Sequence, residues 1–121
     1  MMNKRDKKCY QKILKHCEQA CQTHHFFHED KTLFYDEEKG HTYLGAVAMD
    51  ILQIVELAKS LTPEALQLCP DIPWKNIIRI RDFIAHHYGA LERDTVWDTL
   101  VNHVPALAKR VQQILEEDAQ D

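Results

Sequence analysis

Apolar residues recur along this chain at steps of three and four, the spacing that keeps side chains on one face of an α-helix. Tyr10, Ile13, Leu14, Cys17 and Cys21 form such a stripe, with Lys and Glu between them, and predict a helix over residues 3–22. The period is lost over residues 23–41, "THHFFHEDKTLFYDEEKGH", where an acidic cluster and Gly40 interrupt the aromatics. A connection of that length leaves room for a short helix. Leu44, Val47, Ala48, Ile51, Leu52, Val55 and Ala58 restore the stripe over 42–60. "LTPEALQLCPDIP" breaks it again, with one helical turn allowed after Thr62 because Pro63 suits a first helical position. A further helix runs from about Pro73 to Tyr88, where Gly89 can end it. The last begins near Asp94 or Thr95, either of which can cap it. Its stripe is Trp97, Leu100, Val101, Val104, Leu107, Val111, Ile114 and Leu115, with a kink expected at Pro105. No stretch alternates at period two. Four long amphipathic helices imply an all-α fold, an antiparallel bundle of four to five helices.

Composition narrows the setting. The 121 residues suit a single domain spanning 1–121, and three glycines with four prolines favour long helices over many turns. No apolar run approaches the ~18 residues a membrane span needs. The opening "MMNKRDKKCY" is charged and has no apolar stretch behind it, so it does not read as a signal peptide. The expected place is the cytoplasm, where Cys9, Cys17, Cys21 and Cys69 stay reduced. A net charge of -4 argues against a general nucleic-acid coating protein. The charge is uneven, however: Lys4, Arg5, Lys7, Lys8, Lys12 and Lys15 cluster at the start, and acids collect at Glu29–Asp30, Asp36–Glu38 and Glu116–Asp121. The basic start reads as a solvated helix face or as a local surface for RNA, and pattern alone favours the first.

Chemistry concentrates in "RIRDFIAHHYGALERD", residues 79–94. At about 100° per residue, Ile77, Ile80, Ile84 and Ala85 define one face. Arg81 falls inside that face, and Tyr88 follows two turns on. A guanidinium buried there is costly unless paired, so Arg81 either snorkels to the rim, meets a structural carboxylate, or lines a cleft for an anion such as phosphate. Asp82 and His86, four residues apart on the polar face, make either an ordinary exposed pair or a carboxylate orienting an imidazole. Arg81 and His86 lie about 140° apart on a regular helix, so one chain cannot easily grip one atom with both. A shared site needs the helix to open near Gly89, or a second copy related by a two-fold axis to supply the missing half.

The run Arg81, four residues, His86, one residue, Tyr88 resembles the motif of HepT-like toxins in the HEPN superfamily. "IPWKNIIRIRDFIAHHYGALERDTVWDTLVNHVPAL" and "DILQIVELAKSL" resemble that family's later helices, with Glu56 at a commonly acidic position. Asp82 stands where Asn is frequent, and Ala90 and Glu92 replace a common glycine and aspartate. The resemblance implies a HEPN-like helical homodimer that cuts RNA without metal or other cofactor, in a cleft made by two motif helices. There His86 acts as general base or acid for attack of the 2′-hydroxyl on the adjacent phosphate. Arg81 stabilises the phosphoryl oxygens and Asp82 supports the site. The products carry a cyclic phosphate and a free 5′-hydroxyl. A minimal nucleotidyltransferase antitoxin is the implied partner, able to transfer AMP to Tyr88. The alternative is a non-catalytic dimer of the same type that binds such a partner or a nucleotide.

Cys17, Cys21, His24 and His28 share one helical face at steps of four, three and four. Cys and His are zinc ligands, but along a straight helix they spread over three turns, beyond one ion's reach. Buried cysteines are more often small apolar residues. The stripe is expected to be packing, with metal binding the minor reading.

Overall fold

The computed structural model describes residues 2–86 and 93–120. Their regular structure is helical throughout: α1 (Lys4–Phe26), α2 (Lys31–Tyr35), α3 (His41–Ser60), α4 (Pro63–Gln67), α5 (Trp74–His86), α6 (Arg93–Asp98) and α7 (Val104–Gln120). A π-helical turn, Thr99–His103, joins α6 to α7. The all-α expectation holds. The fourth predicted helix is in fact three helical pieces in succession.

α1 and α3 form the central antiparallel pair. Going up α1, Cys9 Sγ meets the Leu57 carbonyl at 2.9 Å, His16 meets Asp50 at 2.8 Å, and His24 bonds Tyr43, so numbering falls along α3 as it rises along α1. α7 covers the other flank of α1, and its far end returns to the start of the chain: Lys7 Nζ lies 3.4 Å from Asp118, which also accepts from the Met2 backbone amide. α5 and α6 pack against α3. The predicted stripes fill the space between: Tyr10, Ile13 and Cys17 from α1, Val47, Ile51 and Val55 from α3, Trp74 and Ile77 from α5, and Val104, Leu107, Val111 and Ile114 from α7 are all buried. Val101, assigned to the same stripe, is exposed.

Several polar atoms that enter the core are hydrogen-bonded, whereas the buried Trp74 Nε1 has no partner among the described residues. The Tyr10 hydroxyl donates to the Ala65 carbonyl at 2.8 Å. Asp6, only 3% exposed, accepts from the Thr62 backbone amide at 3.1 Å and from its hydroxyl at 2.6 Å. Thr62 Oγ1 in turn accepts from Ala65 N, capping α4 as Pro63 at the next position suggested. One carboxylate therefore ties the first turn of α1 to the start of α4.

The segment read as a connection over 23–41 is more ordered than its lost period implied. α1 runs on to Phe26, and the chain then turns through His28 and Glu29, both at positive φ (61° and 54°). Asp30 caps α2 by accepting from Leu33 N. Phe27 stacks on Tyr43 at 4.6 Å, and Phe34 meets Tyr43 at 4.9 Å and Trp97 at 5.0 Å. These aromatics pin the segment across α3 and α6. Gly40 closes it: a Cβ there would stand 2.4 to 2.6 Å from the carbonyls of Leu33, Phe34 and Asp36. Only glycine lets that turn and the start of α3 come so close.

At Pro105 the expected kink takes the form of the π turn. Proline has no N–H and its ring presses on the carbonyl four residues back, here Val101. The wider turn just before it, with Val104 N donating to the Thr99 carbonyl, relieves that crowding without ending the helix. Arg93, the first residue described after His86, is already helical, one residue before the predicted cap. No helix among the described residues is long and apolar enough to cross a membrane.

Candidate functional site

α5 carries the candidate residues because its outward half is left uncovered. Trp74 and Ile77 are buried, and Ile78 and Ile80 are half-buried. Lys75, Asn76, Arg79, Arg81 and Asp82 face solvent. The helix wheel placed Arg81 inside an apolar face. Of the alternatives this left, the structure shows a rim position with a carboxylate partner: the Arg81 side chain is 45% exposed. The reason is the packing of α5 at the edge of α3, which buries a narrower face than the apolar pattern spans. Arg81 emerges at the α3–α5 seam, and its Nε lies 2.5 Å from Glu56 Oε1. Glu56 is itself about half exposed, so the pair contributes ~0–1 kcal/mol to stability. Its consequence is orientation. The guanidinium is held by Glu56 at its Nε and stays partly open to solvent.

Asp82 is exposed beside Arg81. His86 ends the described part of α5, with only its backbone described, and Tyr88 lies outside the described residues. The structure thus brings Arg81 and Glu56 together and leaves the Asp82–His86 pairing and the place of Tyr88 untested. Asn76, Arg79, Ile80 and Thr95 line a shallow depression of about 220 Å³ on the same helix, toward α6.

The cysteine–histidine stripe is taken up by packing. Cys17 is fully buried, and burial pushes its thiol up to about 12, far from the thiolate a metal requires. Burial also raises Cys21. His24 gives its Nδ1 to a hydrogen bond with Tyr43 and sits edge-on to Trp97 at 5.4 Å. Burial lowers its pKa, with Glu29 nearby opposing the shift. His28 lies past the end of α1 in the left-handed region and has left the helical face. Among the described residues, no three His, Cys, Asp or Glu side chains are grouped to hold a metal ion. All four cysteines are free thiols.

Sequence reasoning missed the pairing of His16 with Asp50 across the α1–α3 seam. Asp50 falls among Val47, Ile51 and Ile54 on the buried face of α3, and only 9% of it is exposed. An acid inside an apolar stripe was the available signal, and it calls for a partner on the facing helix.

An all-α bundle with an exposed, carboxylate-held Arg81 ahead of His86 and Tyr88 defines a helical protein of HEPN type. The chain belongs to the Ribonuclease HepT-like family, whose profile matches residues 8–114. It is 32% identical over 72 residues to "Putative RNase MJ0127" of Methanocaldococcus jannaschii, covering 60% of each chain. It is 29% identical over 85 residues to "Putative RNase TTE0752" of Caldanaerobacter subterraneus, covering 70% of this chain and 76% of that one. "Probable ribonuclease HepT" of Thermococcus cleftensis is 28% identical over 64 residues, covering 52% of this chain and 58% of that one. The matched stretch thus spans less than two thirds of two of these relatives and about three quarters of the third. No solved structure matches the chain convincingly.

Proposed function

We propose that this protein is a metal-independent endoribonuclease, the toxin of a pair with a minimal nucleotidyltransferase, and that it works as a homodimer. The observation that carries the reading is Arg81, held at its Nε by Glu56 and 45% exposed, within the Arg81–His86–Tyr88 run of a HepT-like chain. A guanidinium fixed on one side presents a ready fork to a phosphate on the other.

In the reaction, His86 withdraws the proton of an RNA 2′-hydroxyl as that oxygen attacks the adjacent phosphorus. The bond to the 5′-oxygen breaks, and a general acid protonates the leaving oxygen. The products are a cyclic phosphate and a free 5′-hydroxyl. Arg81 stabilises the charge gathering on the phosphoryl oxygens. Asp82, one helical turn from His86, orients its ring. The angle between Arg81 and His86 on one helix favours a site in which the two come from different protomers. AMP placed on Tyr88 by the partner enzyme adds negative charge and bulk beside the cleft, which repels the phosphate backbone.

The test is cleavage of RNA by the purified protein in EDTA, with product ends mapped. Cleavage with cyclic-phosphate ends, lost roughly 10²–10⁴-fold in His86→Ala, is the expected result. Equal cleavage by the two proteins removes the proposal. The second reading, a non-catalytic dimer that binds the nucleotidyltransferase or a nucleotide, draws on Glu56 and Asp82, whose charges stand beside Arg81 and oppose an anionic substrate. A protein that leaves RNA intact yet binds the nucleotidyltransferase favours it.

A further inference from the structure

The first sixteen residues hold six of the chain's fifteen Lys and Arg and only one of its nineteen Asp and Glu. The one acid, Asp6, is buried and committed to Thr62. Of the six cations, Lys7 turns toward α7 and pairs with Asp118. Lys4, Arg5, Lys8, Lys12 and Lys15 are exposed, and none pairs with a carboxylate among the described residues. At 100° per residue these five fall within one third of the helix circumference, opposite the buried Tyr10, Ile13 and Cys17. They form a continuous positive stripe about 16 Å long, the reach of roughly three to five phosphates along a strand.

This arrangement works against α1 itself. Lys4–Lys8 and Lys8–Lys12 are like charges four apart, and Arg5–Lys8 and Lys12–Lys15 three apart, spacings at which like charges destabilise a helix. Cations in the first turn also oppose the helix dipole. Solubility does not call for it, because the rest of an acidic protein supplies ample charge of the other sign. A local violation of this kind is characteristic of a surface kept for a partner. The stripe also has a direction. Arg5 and Lys12 stand close enough to Cys9 to act on its thiol, and Cys9 lies against Leu57, the neighbour of Glu56. The cations therefore border the C-terminal half of α3, the half whose Glu56 holds Arg81.

We propose that the outer face of α1 is a binding site for the phosphate backbone of single-stranded RNA, separate from the chemistry on α5. It holds the strand without reading its sequence and raises its local concentration at the Arg81 end of the α3 seam. The biological use of this site rests on the ribonuclease reading, but RNA binding does not.

The experiment measures binding of a labelled single-stranded RNA to the whole protein across a salt series, for the wild type and for Lys8→Gln/Lys12→Gln/Lys15→Gln. The wild type is expected to bind at low salt. The triple variant should lose roughly tenfold or more in affinity, and the slope of log K against log salt should shrink by about 2, near 0.7 per lost phosphate contact. Its melting temperature should stay level or rise, which separates lost binding from lost folding. Cleavage of a dinucleotide too short to span α1 should keep its kcat, while KM for long RNA rises. If no RNA is cut by either protein but the binding difference holds, the site stands and the ribonuclease reading falls. Equal affinity and slope overturn the proposal, as does a wild type that binds no RNA at low salt. A wild type that ignores RNA and binds an acidic peptide through these lysines overturns it in favour of a protein partner.

Discussion

Glu56 and Arg81 meet at 2.5 Å on the surface, where the energy of an ion pair is small and its geometry is what matters. Two outcomes follow at the residue scale. Arg81→Ala should leave the melting temperature nearly unchanged and lower RNA cleavage roughly 10²–10³-fold, as loss of a charge-stabilising donor does. A variant that unfolds instead would make Arg81 a structural residue. His24 makes the opposite case, a titratable group used for packing. Burial holds its folded pKa below the ordinary value of about 6.5. As pH falls through that value the unfolded chain takes up a proton the folded chain refuses, so stability declines from there toward the folded pKa. Thermal melts between about pH 7 and 5 should show this decline, and His24→Gln should flatten it. These roles were unequally legible. The sequence marked Arg81 as misplaced on an apolar face, but a helix wheel assumes every face is covered and so overstated its burial. Cys17 reads as a small apolar residue from sequence alone, because ligands strung along one helix cannot converge on one ion, whereas nothing in the sequence marked the Tyr43 and Trp97 partners of His24.

The long helices were plain from their stripes, and the failures came where tertiary contacts replace the period. α2 is five residues long and shows no stripe of its own; it exists because Asp30 caps it and Phe34 packs between Tyr43 and Trp97. The π turn reflects a local conflict, a proline inside a helix whose later face, Leu107, Val111 and Ile114, is buried in the core. Proline chemistry foretells disruption there but not its form. Gly40→Ala should cost about 1–3 kcal/mol in chemical denaturation, since three carbonyls must move to admit one methyl group. Gly45, exposed on α3 with nothing near its would-be Cβ, offers the reverse. Gly45→Ala should raise stability by about 0.8–1 kcal/mol. A loss at that site would mean that another surface closes over α3.

On the scale of the whole molecule, one chain supplies the scaffold and, in the proposed dimer, half of the site. α1, α3 and α7 form the packed frame, α5 lies at its edge with Arg81 at the seam, and α1 turns its cations outward. The all-α class was legible from periodicity, and the family from the spacing of Arg81, His86 and Tyr88. Neither could show how two copies meet, because a helical period describes one chain's interior and says little about its partner. The two-chain cleft is the central claim, and mixed dimers test it most directly. Arg81→Ala and His86→Ala chains, co-expressed with different tags and purified as the mixed dimer, are compared with each variant alone on RNA in EDTA. The account predicts that each variant alone is silent and that the mixed dimer cuts, because one protomer's Arg81 still faces the other's His86. A mixed dimer as silent as its parents, beside an active wild type, would contradict it.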